Sequence, residues 1–417
     1  MPNDPNAATP YRLSALTENG APIRLTMIGV AILAVVACFA FVAGWLSPSR
    51  LTQARMIDAF EEVNGVWPGF RRNHAKGVCI AGYFDSNGDG VRLSKAVIFQ
   101  PGKVPVIGRF SLAGGQPDVS DGPAAVRAMG LSFRPPDGEE WRMAMIDIPV
   151  FVVKDPESFY QQLLASRPDP ATGKPDPAKM RGFVTKHPET ARALEIVKAS
   201  AFSSGFANAS HNALNAFRFV NAAGASTPVR WSMAAVDPFE PEPPAQSAAQ
   251  DKNSLFDAVI ARIGRAPVLW RLVVTSGEAG DPTDDATIPW PSNRRHIDVG
   301  TLTIHHIESE APGNCRDVNF DPLVLPSWIE PSDDPLLSAR SAAYSTFFPG
   351  APGKKRNRAP SKSPAAARGH EHGAAPAVPD NLPNAALDHG SNGPGDAVHR
   401  HRHGRLAVGL SLAGLDP

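Results

Sequence analysis

Apolar and polar positions along this 417-residue chain fall into four regimes. Residues 1–24 are polar. From Leu25 to Leu46 no charge interrupts the run LTMIGVAILAVVACFAFVAGWL. That is long enough to cross a bilayer and longer than the apolar core of an ordinary signal peptide. Trp45 stands near its far end, where amphipathic rings favour the interface. Arg12 and Arg24 precede the run and Arg50 and Arg55 follow it, so basic residues do not set its orientation. Its place near the amino end predicts a signal anchor with everything after Ser47 exported; a late-cleaved signal is the alternative.

Residues 50–349 form the expected folded body. LTQARMIDAFEEV (51–63) has helical spacing. Strands are predicted at 77–84, 93–99, 104–112, 145–153, 228–236, 267–275 and 297–306, from period-two or continuous apolar runs. Helical patterns intervene at 188–200 and 253–263, and the polar stretch 237–252 reads as a loop. Many alternating strands with inserted helices predict an α+β fold, an antiparallel β-barrel core or large sheet with flanking helices, preceded by one N-terminal transmembrane helix. Residues 350–417 hold no aromatic, cysteine or methionine, so they lack the large apolar groups that offset chain entropy and read as disordered.

Composition narrows this only a little. The 41 basic and 41 acidic residues balance, which gives no field for nucleic acid. The 42 prolines and 35 glycines point to a loop-rich fold or disordered ends. Three cysteines are too few for a disulfide framework. Cys79 and Cys315 are expected as buried free thiols, with pairing in an oxidising compartment as the alternative. His399, His401 and His403 alternate with arginine in the tail, where nothing structured would hold a metal. Asp85, Asn87 and Asp89 open like a calcium loop, but the twelfth position is Ala96 where a bidentate Glu is needed. A hairpin turn is the expectation there.

The candidate chemistry lies in three motifs: Arg71-Arg-Asn-His74-Ala75-Lys-Gly77, then Val104-Pro-Val-Ile-Gly-Arg109-Phe110-Ser111, then Arg340-Ser-Ala-Ala-Tyr344 after an IEPSDD stretch. In this order they resemble the haem catalase family, and within it the shorter catalase-related peroxidases. The resemblance spans roughly the whole folded body, and NAFRFVN (215–221) is also similar to the family's sheet. It implies haem b as cofactor. It implies His74 as the distal group that takes a proton from the near oxygen of a peroxide and returns it to the far one, a role suited to an imidazole. Ser111 matches the serine that orients that ring. Arg71 and Arg109 match residues that neutralise haem propionates, which would account for a histidine set among cations; they would also tend to keep the imidazole neutral, as a base must be. Tyr344 matches the axial iron ligand. Arg340, one helical turn before it on the same face, would favour the phenolate. Phe151 and Phe159 match aromatics over the haem, with plain core packing as the alternative. Tyr83 is the one rival tyrosine inside the body, and it is close in sequence to His74.

Departures from the pattern qualify the activity. Where long-chain catalases carry an asparagine that helps orient peroxide, this chain has Ile146, with Asp147 beside it. Asn73 replaces a valine that packs over the haem, adding a polar group on the distal side. The body is short, and a third haem-contacting arginine after Tyr344 is not identifiable. These features imply a haem peroxidase that uses an organic electron donor to reduce hydrogen peroxide or organic peroxides, with weak or no catalase activity. Isomerisation of fatty-acid hydroperoxides and non-catalytic haem binding are the alternatives. The implied partners are a peroxide, an organic reductant and a membrane through residues 25–46, with the enzymatic domain in the periplasm.

Overall fold

A computed structural model describes residues 21–42, 51–121, 125–242 and 252–347. Helix α1 (Ala21–Val42) belongs to a first compact unit that ends at Met56, and the rest of the body is a second. Its Pro22–Val42 segment, with mean hydropathy 2.8 in its most apolar window, is long and apolar enough to cross a membrane, and a signal sequence has the same character. Residues 43–50, including Trp45, and the 350–417 tail lie outside the described residues.

The body is built on strands β1 (Gly77–Ser86), β2 (Gly102–Leu112), β3 (Arg127–Phe133), β4 (Trp141–Ile146), β5 (His211–Val220), β6 (Ser226–Ala235), β7 (Val268–Ser276) and β8 (Arg295–Ser309). All neighbours pair antiparallel in the order β4-β3-β2-β1-β8-β7-β6-β5. An additional Ile146↔Asn212 pairing of β4 with β5 closes the eight strands into a barrel. A short β9 (Ile329–Pro331) adds to β5. Closure leaves no open edge among the eight, and the alternation of side chains then divides every strand into an inner and an outer row.

The inner row is aromatic. Phe84, Phe110, Phe133, Trp141, Phe217, Phe219, Trp231 and Trp270 are fully or almost fully buried. Their rings contact one another at 4.3–6.3 Å, as in Phe217 with Trp231 and Trp141 with Phe219. The barrel is therefore filled by side chains and is not itself a ligand cavity. A second apolar cluster, with Ile148, Val150, Val152, Val153, Phe183, Leu194 and Leu214, lies beneath helices α3 (Pro156–Ala165), α4 (Pro177–Lys186) and α5 (Pro188–Ala199). Helix α6 (Ser254–Arg265) buries Leu255, Phe256, Val259 and Ile263 in the barrel core, and Asp121 Oδ2 accepts from the Leu255 and Phe256 amides at its start. Helix α2 (Gln53–Asn64) precedes the barrel, and helix α7 (Pro335–Phe347) ends the described residues.

Three sequence expectations change here. Residues 93–99 form no strand: two 3-10 turns, Asp89–Arg92 and Val97–Phe99, lie between β1 and β2 in place of the simple hairpin turn. Ser94 Oγ accepts from the Ala96 amide and donates to the Trp328 carbonyl, which folds the alternating run into a plug. Residues 147–153 leave the sheet after Ile146, because their valines are buried by helices and not by a second strand face. Cys79 and Cys315 form a disulfide, with Cα atoms 5.3 Å apart across 236 residues of sequence. The pairing was unreadable locally because nothing near either cysteine announces the other. Closing so long a loop stabilises by about 2–4 kcal/mol. Reduction of the folded protein should lower its thermal midpoint by several degrees, and a Cys79→Ser/Cys315→Ser variant should match the reduced form in a calorimetric comparison.

Candidate active site

On β2 the pleat sends Phe110 inward, where it stacks on Phe206 and Trp270, and sends Arg109 and Ser111 outward. Cross-strand register places Gly77 opposite Ser111 and Cys79 opposite Arg109 on β1, and Ala128 and Gly130 opposite Ser111 and Arg109 on β3. Ala144 of β4 continues the row beside Gly130. The outer face at this corner of the barrel is thus a shelf of small residues. Gly77 must be glycine: a Cβ there would lie 2.5 Å from the Arg109 guanidinium carbon. Gly130 makes room for the Phe320 ring in the same way, at 2.8 Å.

His74 stands just before this shelf with a left-handed backbone, φ 56°. Such a conformation is costly for a residue with a Cβ, by roughly 1–2 kcal/mol, and marks a position held by its surroundings. Asn73 does the holding: its Oδ1 accepts from the His74 amide and the Gly114 amide, both at 3.0 Å. The carbonyl oxygen of Asn73 is thus spent on the backbone, and its amide nitrogen is the polar group that remains. Ser111 Oγ lies 3.4 Å from His74 Nδ1, a loose contact. Burial, then Arg109, Arg340 and Arg71, push the His74 imidazole down to about 3, against a hydrogen bond to the Leu112 backbone. Lys76, two residues on, is buried and spends its ammonium on Asp121 and the Val119 and Lys252 carbonyls, tying this segment to the start of α6.

The two arginines meet on one carboxylate that sequence reasoning did not find. Glu310 Oε1 accepts from Arg71 Nε at 3.2 Å, and Oε2 from Arg109 Nη2 at 2.8 Å. Burial alone would push the Glu310 carboxyl up; Arg109 and Arg71 outweigh it and hold it below the usual carboxylate range. Arg71 Nη2 also faces the carbonyls of Cys315, Arg316 and Val318, and its guanidinium lies 5.8 Å from the Phe320 ring. No local signal marks Glu310, which sits 239 residues from Arg71 just past the end of β8.

Helix α7 brings the third motif to the same region. Arg340 Nη1 donates to Asn215 Oδ1 at 2.6 Å and Nη2 reaches the Ala144 carbonyl at 3.4 Å. Asn215, at the register shift of β5, donates in turn to Asp334 Oδ2, and Asp334 Oδ1 caps the Leu336 amide at the start of the helix. Ser341 Oγ donates to Asp321 Oδ2, joining α7 to the segment after Phe320. Tyr344, one turn beyond Arg340, is partly buried and close enough for its charge to act on Arg71. Tyr83 is elsewhere, between Lys103 and His305.

Phe151 and Phe159 stack at 6.1 Å and pack, with Ile146 and Ala113, against the second apolar cluster. Asp147 is not available to replace an asparagine: its carboxylate accepts from the Arg127 amide and Nη1. Burial pushes the Asp147 carboxyl up to about 6, opposed by Arg127.

This constellation suits a flat cofactor that carries carboxylates. Guanidiniums gather at one end, and Arg109 Nε is buried without a partner. His74 and Tyr344 come from different parts of the chain, and both lie within charge range of Arg71.

Residues 43–347 match the model of the catalase family, and the chain belongs to that family. It is an oxidoreductase of the peroxide-consuming kind, from a family that uses haem. It is 36% identical to a catalase-related peroxidase of Synechococcus elongatus over 77% of this chain and 95% of that one. It is 32% identical to a catalase-related peroxidase of Mycolicibacterium paratuberculosis, over 71% and 93% of the two chains. Among solved structures, a fungal catalase superposes with a TM-score of 0.59 at 18% identity, covering 67% of this chain and 58% of that chain. The chain therefore spans nearly all of the short relatives and little more than half of the long catalase.

Because burial and the neighbouring arginines push His74 from its ordinary value of 6.5 down to about 3, its neutral form persists as pH falls well below neutrality. Stability is lost over that window, since the unfolded chain takes up the proton that the folded site refuses. The rate constant for the first reaction with peroxide should be flat between about pH 5 and 8 in stopped-flow traces. An inflection near the ordinary imidazole value would contradict the electrostatics of the site.

Proposed function

We propose that this chain is a haem peroxidase that reduces hydrogen peroxide or organic peroxides with an organic electron donor. The observation that carries this reading is the neutral His74 imidazole, fixed by Asn73 and Ser111 beside the arginine cluster and within charge range of Arg340 on the Tyr344 helix. Haem b would be held by Tyr344 on its iron, with Arg71 and Arg109 at its propionates and Phe151 and Phe159 along the distal wall. When bound, ferric haem supplies the two electrons that split the peroxide O–O bond, and the donor restores them.

His74 does the proton work. Its Nε2 takes the proton from the near oxygen and returns it to the far oxygen, which leaves as water. Ser111 at Nδ1 keeps the ring turned for both transfers. Arg340, held by Asn215 and Ala144, presents its positive charge one turn from Tyr344 and favours the anionic phenol as ligand. At Ile146 no hydrogen bond can be offered to a second peroxide, which supports donor oxidation over disproportionation. The Cys79–Cys315 disulfide and the apolar α1 support an exported domain, membrane-anchored or released into the periplasm.

His74→Phe should bind haem with an undiminished Soret band and lose about 10²–10⁴-fold in peroxide consumption with a chromogenic donor. Full activity in that variant would remove the imidazole from the chemistry and the proposal with it.

A further inference from the structure

We propose that Glu310 is a positioning residue for a cofactor carboxylate: it holds the Arg71 and Arg109 guanidiniums side by side and leaves the outer nitrogen of each for the propionates. This rests on the haem reading above. Two buried cations repel, and Arg71 and Arg109 stay together only with a counter-charge between them. Glu310 supplies it through both oxygens, so two positive charges and one negative leave the cluster with one positive charge for an incoming carboxylate. The rest of the hydrogen bonding leaves suitable donors free. Arg71 Nη2 is spent on backbone carbonyls, and Arg109 Nη2 on Glu310 and the Ala75 carbonyl. Among the described residues, Nη1 of neither arginine makes a hydrogen bond, and Arg109 Nε is buried and unpartnered.

Glu310 is itself held in place. It follows β8, whose Glu308 and Ser309 pair with Cys79 and Val78 of β1. Five residues on, Cys315 is bonded to Cys79, the register partner of Arg109. The carboxylate thus has a fixed position relative to Arg109, and through it Arg71 does too. A side chain that only filled space would not need both oxygens bonded.

The test is a Soret titration of the apoprotein with haem and with haem dimethyl ester, which lacks the free carboxylates. Wild type should prefer haem by about tenfold or more, the worth of one or two charge-assisted hydrogen bonds. Glu310→Ala should lose about tenfold in affinity for haem and none for the ester. Glu310→Gln, which keeps shape and one acceptor oxygen, should fall between. Equal weakening of both compounds would reduce Glu310 to packing. Tighter haem binding in Glu310→Ala would make it an occupant that propionates displace. Either result overturns the proposal. A wild type that takes up neither compound would sink the haem reading itself, a failure distinct from the other two.

Discussion

At Arg109-Phe110-Ser111 the pleat of one strand couples barrel to site. Phe110 can enter the aromatic core only if its two neighbours face out, and those neighbours are a cation and a hydroxyl. The register of β1 and β3 against β2 then decides what lies beside them: Gly77, Cys79, Ala128 and Gly130. A slip of one residue would bury Arg109 among phenylalanines and turn Phe110 onto the shelf. Core packing, worth about 1.5–3 kcal/mol for a buried Phe, thereby holds the polar groups in place without direct contact to them.

Everything else in the site arrives from far along the chain and is fastened to that strand. The disulfide pins the segment after β8, which carries Glu310 and the carbonyls around Arg71. Asn215 and Asp334 fasten helix α7 to β5, and Arg340 fastens it to β4. The left-handed backbone at His74 is tolerable because Asn73 satisfies two amides around it. Arg109 and Arg71, which with Arg340 lower the basicity of the imidazole, are the two that share Glu310.

Strands marked by β-branched residues were legible in the sequence, as β1, β2, β6, β7 and β8 show. β3 was not: Met129, Leu131 and Phe133 alternate with Ala128, Gly130 and Ser132, but no Val, Ile or Thr marks so short a run. Residues 147–153 read as strand because an apolar run looks alike under helices and in a sheet. The ordered motifs carried His74, Ser111, Arg71, Arg109, Arg340 and Tyr344, since each sits at a fixed offset in a short stretch. Glu310 and the role of Asn215 were invisible, and the Cys79–Cys315 pair was only the second of two readings, for the opposite reason: their partners lie more than a hundred residues away. Asn73 was visible, but the two hydrogen bonds of its carbonyl oxygen were not, because residue type does not reveal that a side chain turns back onto its own backbone.

The proposal on which the functional reading rests is that His74 and Tyr344 would serve one bound haem. The most direct measurement is the ferric absorption spectrum of haem-loaded residues 50–417, beside that of a Tyr344→Phe variant. The proposal predicts a high-spin Soret band with tyrosinate charge-transfer features in the wild type, and their loss in the variant while bound haem persists or falls. Identical spectra for the two proteins would place the iron ligand elsewhere and contradict the claim.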